Sequence, residues 1–199
     1  NVWLRIGADD SVTVFCSAME LGQGAMTAMP MLVAEELDVE WKQVHAQWAP
    51  ADPAYGNPLR NGRQETVASI SVRGFWQPLR EAGAAARSML VAAAAQTWKV
   101  PESSCLTEKG EVIDKTSGRR LRYGALAEKA STQPVPAKVA LREPKNFRVL
   151  GQPVARLDIP EKVNGSAVYG MDVKVPNVLI AKVARCPVLG GSVAGFTAD

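Results

Sequence analysis

The chain has 199 residues, 47% of them hydrophobic and 22% charged, which fits a folded globular protein of one large domain, or of one and a half small ones, and excludes a disordered chain. Its 23 basic and 20 acidic side chains leave a net charge of +3, too small an excess to argue for a nucleic-acid surface. No uncharged apolar run reaches the roughly 18 residues of a membrane-crossing helix, and three scattered cysteines (Cys16, Cys105, Cys186) with one histidine, His45, argue against an iron–sulfur or zinc site built from this chain.

Val2, Leu4 and Ile6 alternate with Trp3 and Arg5, Ala8-Asp9-Asp10-Ser11 is a turn cluster, and Val12, Val14 and Cys16 alternate again; residues 1–16 therefore read as a β-hairpin. Glu20-Leu21-Gly22-Gln23-Gly24 is a tight glycine-flanked loop. Met26, Met29, Leu32, Val33, Glu36 and Leu37 then recur at helical spacing, predicting a helix from about Ala25 to Leu37. Pro30 lacks a donor and clashes one turn back, so the helix is expected to start near Met29 with Pro30 in its first turn.

Val44 to Trp48 reads as a strand and residues 49–64, rich in Pro, Gly and Asn, as loop. A long helix is predicted from about Ser69 to Lys99, alanine-rich over Ala82 to Ala95, with Phe75, Leu79, Met89, Leu90 and Val91 as its buried stripe. Residues 105–122 read as a hairpin and Tyr123 to Ala130 as a short helix. Pro134, Pro136 and Pro144 mark residues 131–147 as an extended linker. From Arg148 the pattern turns to β, with Leu179 to Ala184 as its most apolar strand. The fold class is α+β: a mixed sheet with long helices over residues 1–130, then a β-rich piece over 148–199.

Gly22-Gln23-Gly24 is the first candidate for chemistry. Its glycines permit positive φ and close backbone approach, and Gln23 offers an amide acceptor and donors that do not titrate. The helix start behind it would favour a nearby anion, although a glycine loop before a helix is more often only a turn. Thr66, Ser69 and Ser71, at the start of the long helix, suit either ligand binding or capping. Arg60, Arg63 and Arg73 suit phosphate contact or plain solvation. His45 reads as structural or exposed, Asp158 and Asp172 as turn formers, and the methionines at 19, 26, 29 and 31 as core. Glu35 and Glu36 are adjacent on a helix and point to different faces, which argues against a carboxylate pair. No P-loop lysine follows Gly24, so a phosphate loop is set aside.

Four stretches carry a resemblance. They are Glu20-Leu21-Gly22-Gln23-Gly24; Leu32-Val33-Ala34-Glu35-Glu36-Leu37-Asp38; Ala49-Pro50-Ala51-Asp52-Pro53-Ala54-Tyr55-Gly56-Asn57-Pro58; and Arg156-Leu157-Asp158 with Lys162-Val163-Asn164-Gly165 and Tyr169-Gly170-Met171-Asp172. In this order they resemble the molybdopterin-binding large subunit of the xanthine dehydrogenase/aldehyde oxidase family, in the branch of isoquinoline 1-oxidoreductase beta subunits and bacterial membrane-associated aldehyde dehydrogenases. The resemblance covers nearly the whole chain.

The resemblance implies an enzyme that hydroxylates an aldehyde or N-heterocycle with water-derived oxygen, using molybdenum held by molybdopterin cytosine dinucleotide. Gln23 matches the family glutamine beside the metal, as the one catalytic candidate. Gly22, Gln23, Gly24, Ser69 and Ser71 match cofactor-binding positions, and no residue of this chain is expected to ligate the metal. Val67 and Ala68 stand where the branch has two glycines, and Pro176-Asn177 where it has Pro-Gly. The implied organisation is a partial cofactor-binding domain at 1–130, a linker at 131–147 and the start of an α/β-hammerhead domain, cut short, at 148–199.

The family's glutamate base and its G-G-x-F-G-G loop are absent from these residues. The chain is therefore expected to be an N-terminal fragment, inactive alone and prone to self-association. The implied partners are the remainder of the large subunit, a small 2Fe–2S subunit and a cytochrome c acceptor. The implied location is periplasmic or membrane-associated, with no leader visible. A stand-alone interaction or assembly domain that keeps the fold is the alternative.

Overall fold

The computed structural model describes residues 2–197. The chain forms two compact units, Asn1–Pro160 and Glu161–Asp199.

In the first unit, β1 (Leu4–Ile6) and β2 (Val12–Cys16) make the predicted hairpin, with Leu4 opposite Val14. A helix, α1 (Ala25–Leu37), carries the chain across so that β3 (Val44–Trp48) lies parallel to β2, from Val12 opposite Val44 to Cys16 opposite Trp48. Parallel neighbours require such a crossover. The alternation in β2 is read out directly: Val12, Val14 and Cys16 are buried, while Thr13 and Phe15 are half-buried.

The start of α1 differs from expectation. The helix begins at Ala25, and Pro30 sits in its interior. Gly24 at φ +84 turns the chain into the helix, and the Glu20 carboxylate takes the amide protons of Gly24 and Met26 at 2.9 and 3.0 Å. These contacts define the helix start upstream and outweigh the single backbone bond that Pro30 cannot make.

The long helix, α2 (Ser71–Trp98), packs along α1. Phe75, Leu79 and Leu90 of α2 are buried with Met29, Leu32 and Leu37 of α1. The helices are in close contact at Gly83, where a Cβ would lie 2.7 Å from the Val33 carbonyl oxygen. The methionines divide: Met26 and Met29 are core, as expected, whereas Met19 is 57% exposed.

A second sheet follows as an antiparallel meander of β4 (Cys105–Glu108), β5 (Glu111–Asp114) and β6 (Arg120–Arg122). Helix α3 (Tyr123–Ser131) closes it against α2. Tyr123 is buried, donates to the Leu37 carbonyl at 2.8 Å, and has its phenol pKa pushed up by burial.

Asp114 ends β5 and accepts from Ser117, Arg119 and the Thr116 amide, which hold its carboxyl down at about 2 against an ordinary 3.8. A depressed carboxyl adds stability above its unfolded pKa and loses it as pH falls through the folded one. Wild-type stability should therefore decline from about pH 3.8 to about pH 2 with a contribution that Asp114→Asn lacks. Chemical unfolding of both forms across that window checks this. Parallel pH slopes would remove Asp114 as the source.

The predicted linker at 131–147 begins a little later: Ser131 still belongs to α3, a turn follows, and residues 134–147 contain no regular element but one 3-10 turn at Pro144–Asn146. They are also anchored. Glu36, fully buried in α1, accepts from Arg80 Nε and Nη2 at 2.9 and 2.6 Å and from the Arg142 amide at 3.0 Å. The Arg80 guanidinium also lies 5.2 Å from the Trp76 and Phe147 ring centres. Burial pulls the pKa of the nearby Arg87 down, Arg142 adds repulsion, and Glu36 opposes both. Glu35, the adjacent buried carboxylate, accepts the amides of Arg148, Val149 and Leu150 at 2.9, 2.7 and 3.0 Å. The two glutamates accept different backbone amides but share Arg142, whose amide donates to Glu36 and whose guanidinium lies 3.6 Å from Glu35. Asp38 completes the cluster with Arg142 at 2.7 Å and Thr107 at 3.0 Å.

A short helix, α4 (Ile159–Asn164), spans the boundary between the units. Beyond it the described residues form turns and irregular backbone without a strand, so the β reading of this stretch, including Leu179 to Ala184, is corrected. Leu179 and Ile180 are 93% and 89% exposed. An apolar run becomes a strand only when a neighbour takes its N–H and C=O groups, and no described residue of 161–197 does so.

Candidate functional site

The site is built on the turn between β2 and α1. Gly22 and Gly24 adopt φ of +106 and +84, values that strain any residue with a Cβ. A Cβ at either would meet nothing within 4 Å, so the outer face of the loop is open. Gln23 is exposed, but its side chain folds back on its own loop. Nε2 donates to the Met19 carbonyl and Oε1 accepts from the Leu21 amide, both at 2.6 Å. One amide proton and one carbonyl lone pair of Gln23 remain.

Glu20 sets the shape of this turn. Its side chain is 4% exposed and takes the amides of Gly22, Gly24 and Met26. Burial pushes its pKa up, and the three N–H donors outweigh burial and Asp158 to hold it below the ordinary carboxylate value. The anion favoured by the start of α1 is thus supplied by the chain itself.

The second candidate loop is tied to the first by Thr66, whose Oγ1 accepts from the Met19 amide at 2.8 Å. Ala68 and Ser69 both lie in the left-handed region, at φ 50 and 55. These are positions where glycine is the least strained residue. Ser69 is exposed, whereas Ser71 is buried as the first residue of α2, so the two hydroxyls do not share a surface. The entry to α2 is fixed by buried Asn57, whose Nδ2 donates to the Ile70 carbonyl at 3.2 Å.

Between the two loops lies a cavity of about 680 Å³. Ser17, Met19, Leu21, Asp52, Gln64 and Thr66 are among its walls. None of Gly22, Gln23, Gly24, Ser69 and Ser71 lines it. Ser17 is 9% exposed, and its hydroxyl is the one buried side-chain polar atom among the described residues with no hydrogen-bond partner. An unpartnered buried hydroxyl at a cavity wall, beside a glycine loop with an open face, suits a polar ligand with its own donors and acceptors.

The other candidates have structural roles or are exposed. Arg60 pairs with Glu65, Arg63 and Arg73 are exposed, His45 is exposed on β3, and Asp172 accepts from the Tyr169 amide in a turn. Asp158 pairs with Arg156 at 2.7 Å. Among the described residues no group of three or more His, Cys, Asp or Glu side chains is placed to hold a metal ion, and no helix is long and apolar enough to cross a membrane.

The sequence profile of the molybdopterin cofactor-binding domain matches residues 1–175. The chain belongs to that family. This molybdopterin cofactor-binding domain is 43% identical to the beta chain of isoquinoline 1-oxidoreductase from Brevundimonas diminuta, over 96% of its own length and 29% of the relative's. It is 30% identical to the membrane-bound aldehyde dehydrogenase (pyrroloquinoline-quinone) of Gluconacetobacter polyoxogenes, over 96% of the chain and 25% of that protein. It is also 30% identical to a subunit of nicotinate dehydrogenase from Pseudomonas putida, over the whole chain and 16% of that protein. The domain thus spans under a third of these relatives. Among solved structures, quinoline 2-oxidoreductase from Pseudomonas putida 86 shares the fold, with a TM-score of 0.50 and 21% identity over 65% of this chain and 16% of that one.

Proposed function

We propose that this chain is the part of a molybdenum hydroxylase large subunit that presents the Gly22-Gln23-Gly24 loop to the cofactor. The observation that carries this reading is an open-faced, internally braced glycine loop in a chain of the molybdopterin cofactor-binding family. When bound, the molybdenum–pterin group supplies the redox and oxygen-transfer chemistry.

The role of this chain is to bind and orient. Gly22 and Gly24 let the backbone approach the ligand without a Cβ between them. Gln23 offers its remaining amide proton and lone pair from a side chain already held by Met19 and Leu21. Ser69 and Ser71 are assigned to the cofactor on the motif alone, and Ser17 adds an unpartnered hydroxyl at the neighbouring cavity.

On this reading the substrate is an aldehyde or N-heterocycle, as the names of the relatives suggest, and the cofactor is the cytosine dinucleotide form, on the sequence resemblance alone. The chain works with the remainder of the large subunit and a small 2Fe–2S subunit and is inactive alone. Residues 148–199 are assigned to the opening of the hammerhead domain on the Arg156-Leu157-Asp158 and Tyr169-Gly170-Met171-Asp172 motifs.

Gln23→Ala in the full-length enzyme should lower turnover about tenfold, the scale of one lost hydrogen bond in a shielded site. Molybdenum content by elemental mass spectrometry should stay near that of the wild type. Unchanged turnover would remove Gln23 from the site.

A further inference from the structure

We propose that Arg156 is a positioning residue that holds the Gly22-Gln23-Gly24 loop in its ligand-receiving shape, an inference that rests on the reading of this loop as the cofactor support. Arg156 lies 134 residues beyond Gly22 in sequence, yet its Nη1 donates to the Gly22 carbonyl at 3.2 Å. Its Nη2 donates to Glu20 Oε1 at 3.3 Å, the same oxygen that accepts the Gly22 and Gly24 amides. One guanidinium therefore reaches both the side chain that shapes the loop and the loop's own backbone.

The guanidinium is itself aimed. Asp158 accepts from Arg156 Nε at 3.0 Å and from Nη2 at 2.7 Å, a two-pronged pairing that fixes the plane of the group. The backbone between them is pinned, because the Leu157 amide donates to Thr27 Oγ1 in the first turn of α1 at 3.1 Å. Arg156 faces Glu20 and Asp158 together, so it also separates two carboxylates that would otherwise repel.

Three consequences follow for the loop. The Gly22 carbonyl cannot rotate outward while Arg156 holds it, which restricts the peptide that links Gly22 to Gln23. Glu20 Oε1 gains a charged donor beside the amides of Gly22 and Gly24 that it already accepts. Gln23, whose side chain is braced only by Met19 and Leu21 of the same loop, inherits its orientation from both. Lysine cannot reproduce this, since a single ammonium lacks the planar fork that spans four acceptor atoms.

The test compares wild type, Arg156→Gln and Arg156→Lys in the full-length protein. Amide hydrogen exchange is read by mass spectrometry in cofactor-free protein, and bound pterin is measured separately after cofactor loading. In Arg156→Gln, exchange at Gly22, Gly24 and Met26 should rise about tenfold or more while α2 keeps its protection. Arg156→Lys should recover only part of the difference.

Unchanged exchange at these amides, an increase spread evenly through α2, or full recovery with lysine would each overturn the positioning role. Pterin content tests the underlying reading independently. Locally raised exchange with undiminished pterin would leave Arg156 as the positioner of the loop and overturn the loop as a cofactor support, whereas reduced pterin with raised exchange supports both.

Discussion

Glu36→Ala should destabilise the protein by about 3–5 kcal/mol, the cost of breaking a buried ion pair on one side only. The Arg80 side chain is 8% exposed and that of Glu36 is 0% exposed, so the guanidinium left behind cannot reach bulk water without moving α2. The Arg142 amide loses its acceptor at the same time. Glu36→Gln should cost less, because an amide keeps an acceptor for Arg80 and removes only the charge. Urea unfolding at neutral pH, with an unchanged slope, checks both. A loss below about 1 kcal/mol for the alanine variant would mean that the arginine finds another partner.

The second large effect has an unusual sign. Alanine normally stabilises a helix interior over glycine by about 1 kcal/mol, yet Gly83→Ala should destabilise this protein by about 1–3 kcal/mol, as overpacking does. The added Cβ would stand 2.7 Å from the Val33 carbonyl oxygen and 3.1 Å from the Glu36 Cβ. Backbone cannot yield as the end of a flexible side chain does, so α1 and α2 must separate along the face that holds the Glu36–Arg80 pair. Thermal unfolding of the variant provides the measurement, and a raised midpoint would show that the helices part at little cost.

Legibility from sequence followed the range of the interactions. The β2 strand, α2 and the second-sheet hairpin are encoded by local periodicity and turn residues, and the structure has them nearly as predicted. The early start of α1 was hidden because Pro30 argues locally for a later start, while the deciding contact comes from Glu20, outside the helical pattern. Glu20 was visible as a member of a motif, but the motif does not say that its carboxylate turns inward. Gln23 was read as a group offered to a ligand, and half of its hydrogen-bonding capacity proves to be internal.

Arg156 could not be found by spacing at all, since 136 residues separate it from Glu20. The only available signal was the Arg156-Leu157-Asp158 pattern, in which a cation two residues from an acid hints at a preset pair. The apolar run at Leu179 to Ala184 shows the opposite limit. Strand-like composition states a willingness to pair, and pairing depends on neighbours that no local pattern reveals.

The adjacent glutamates of α1 also set an order of events for the growing polypeptide. The amides that Glu35 and Glu36 require lie 113 and 106 residues downstream, at Arg148 and Arg142. As the chain leaves the ribosome, α1 is available early and Arg80 of α2 can reach Glu36, but Glu35 has no amide partner until that distant stretch has emerged. Until then the helix that carries the loop can only keep the Glu35 carboxylate in water, even with α2 packed beside it. Non-local contacts of this kind slow folding, and they leave the first unit uncommitted until Leu150, close to its end at Pro160, exists.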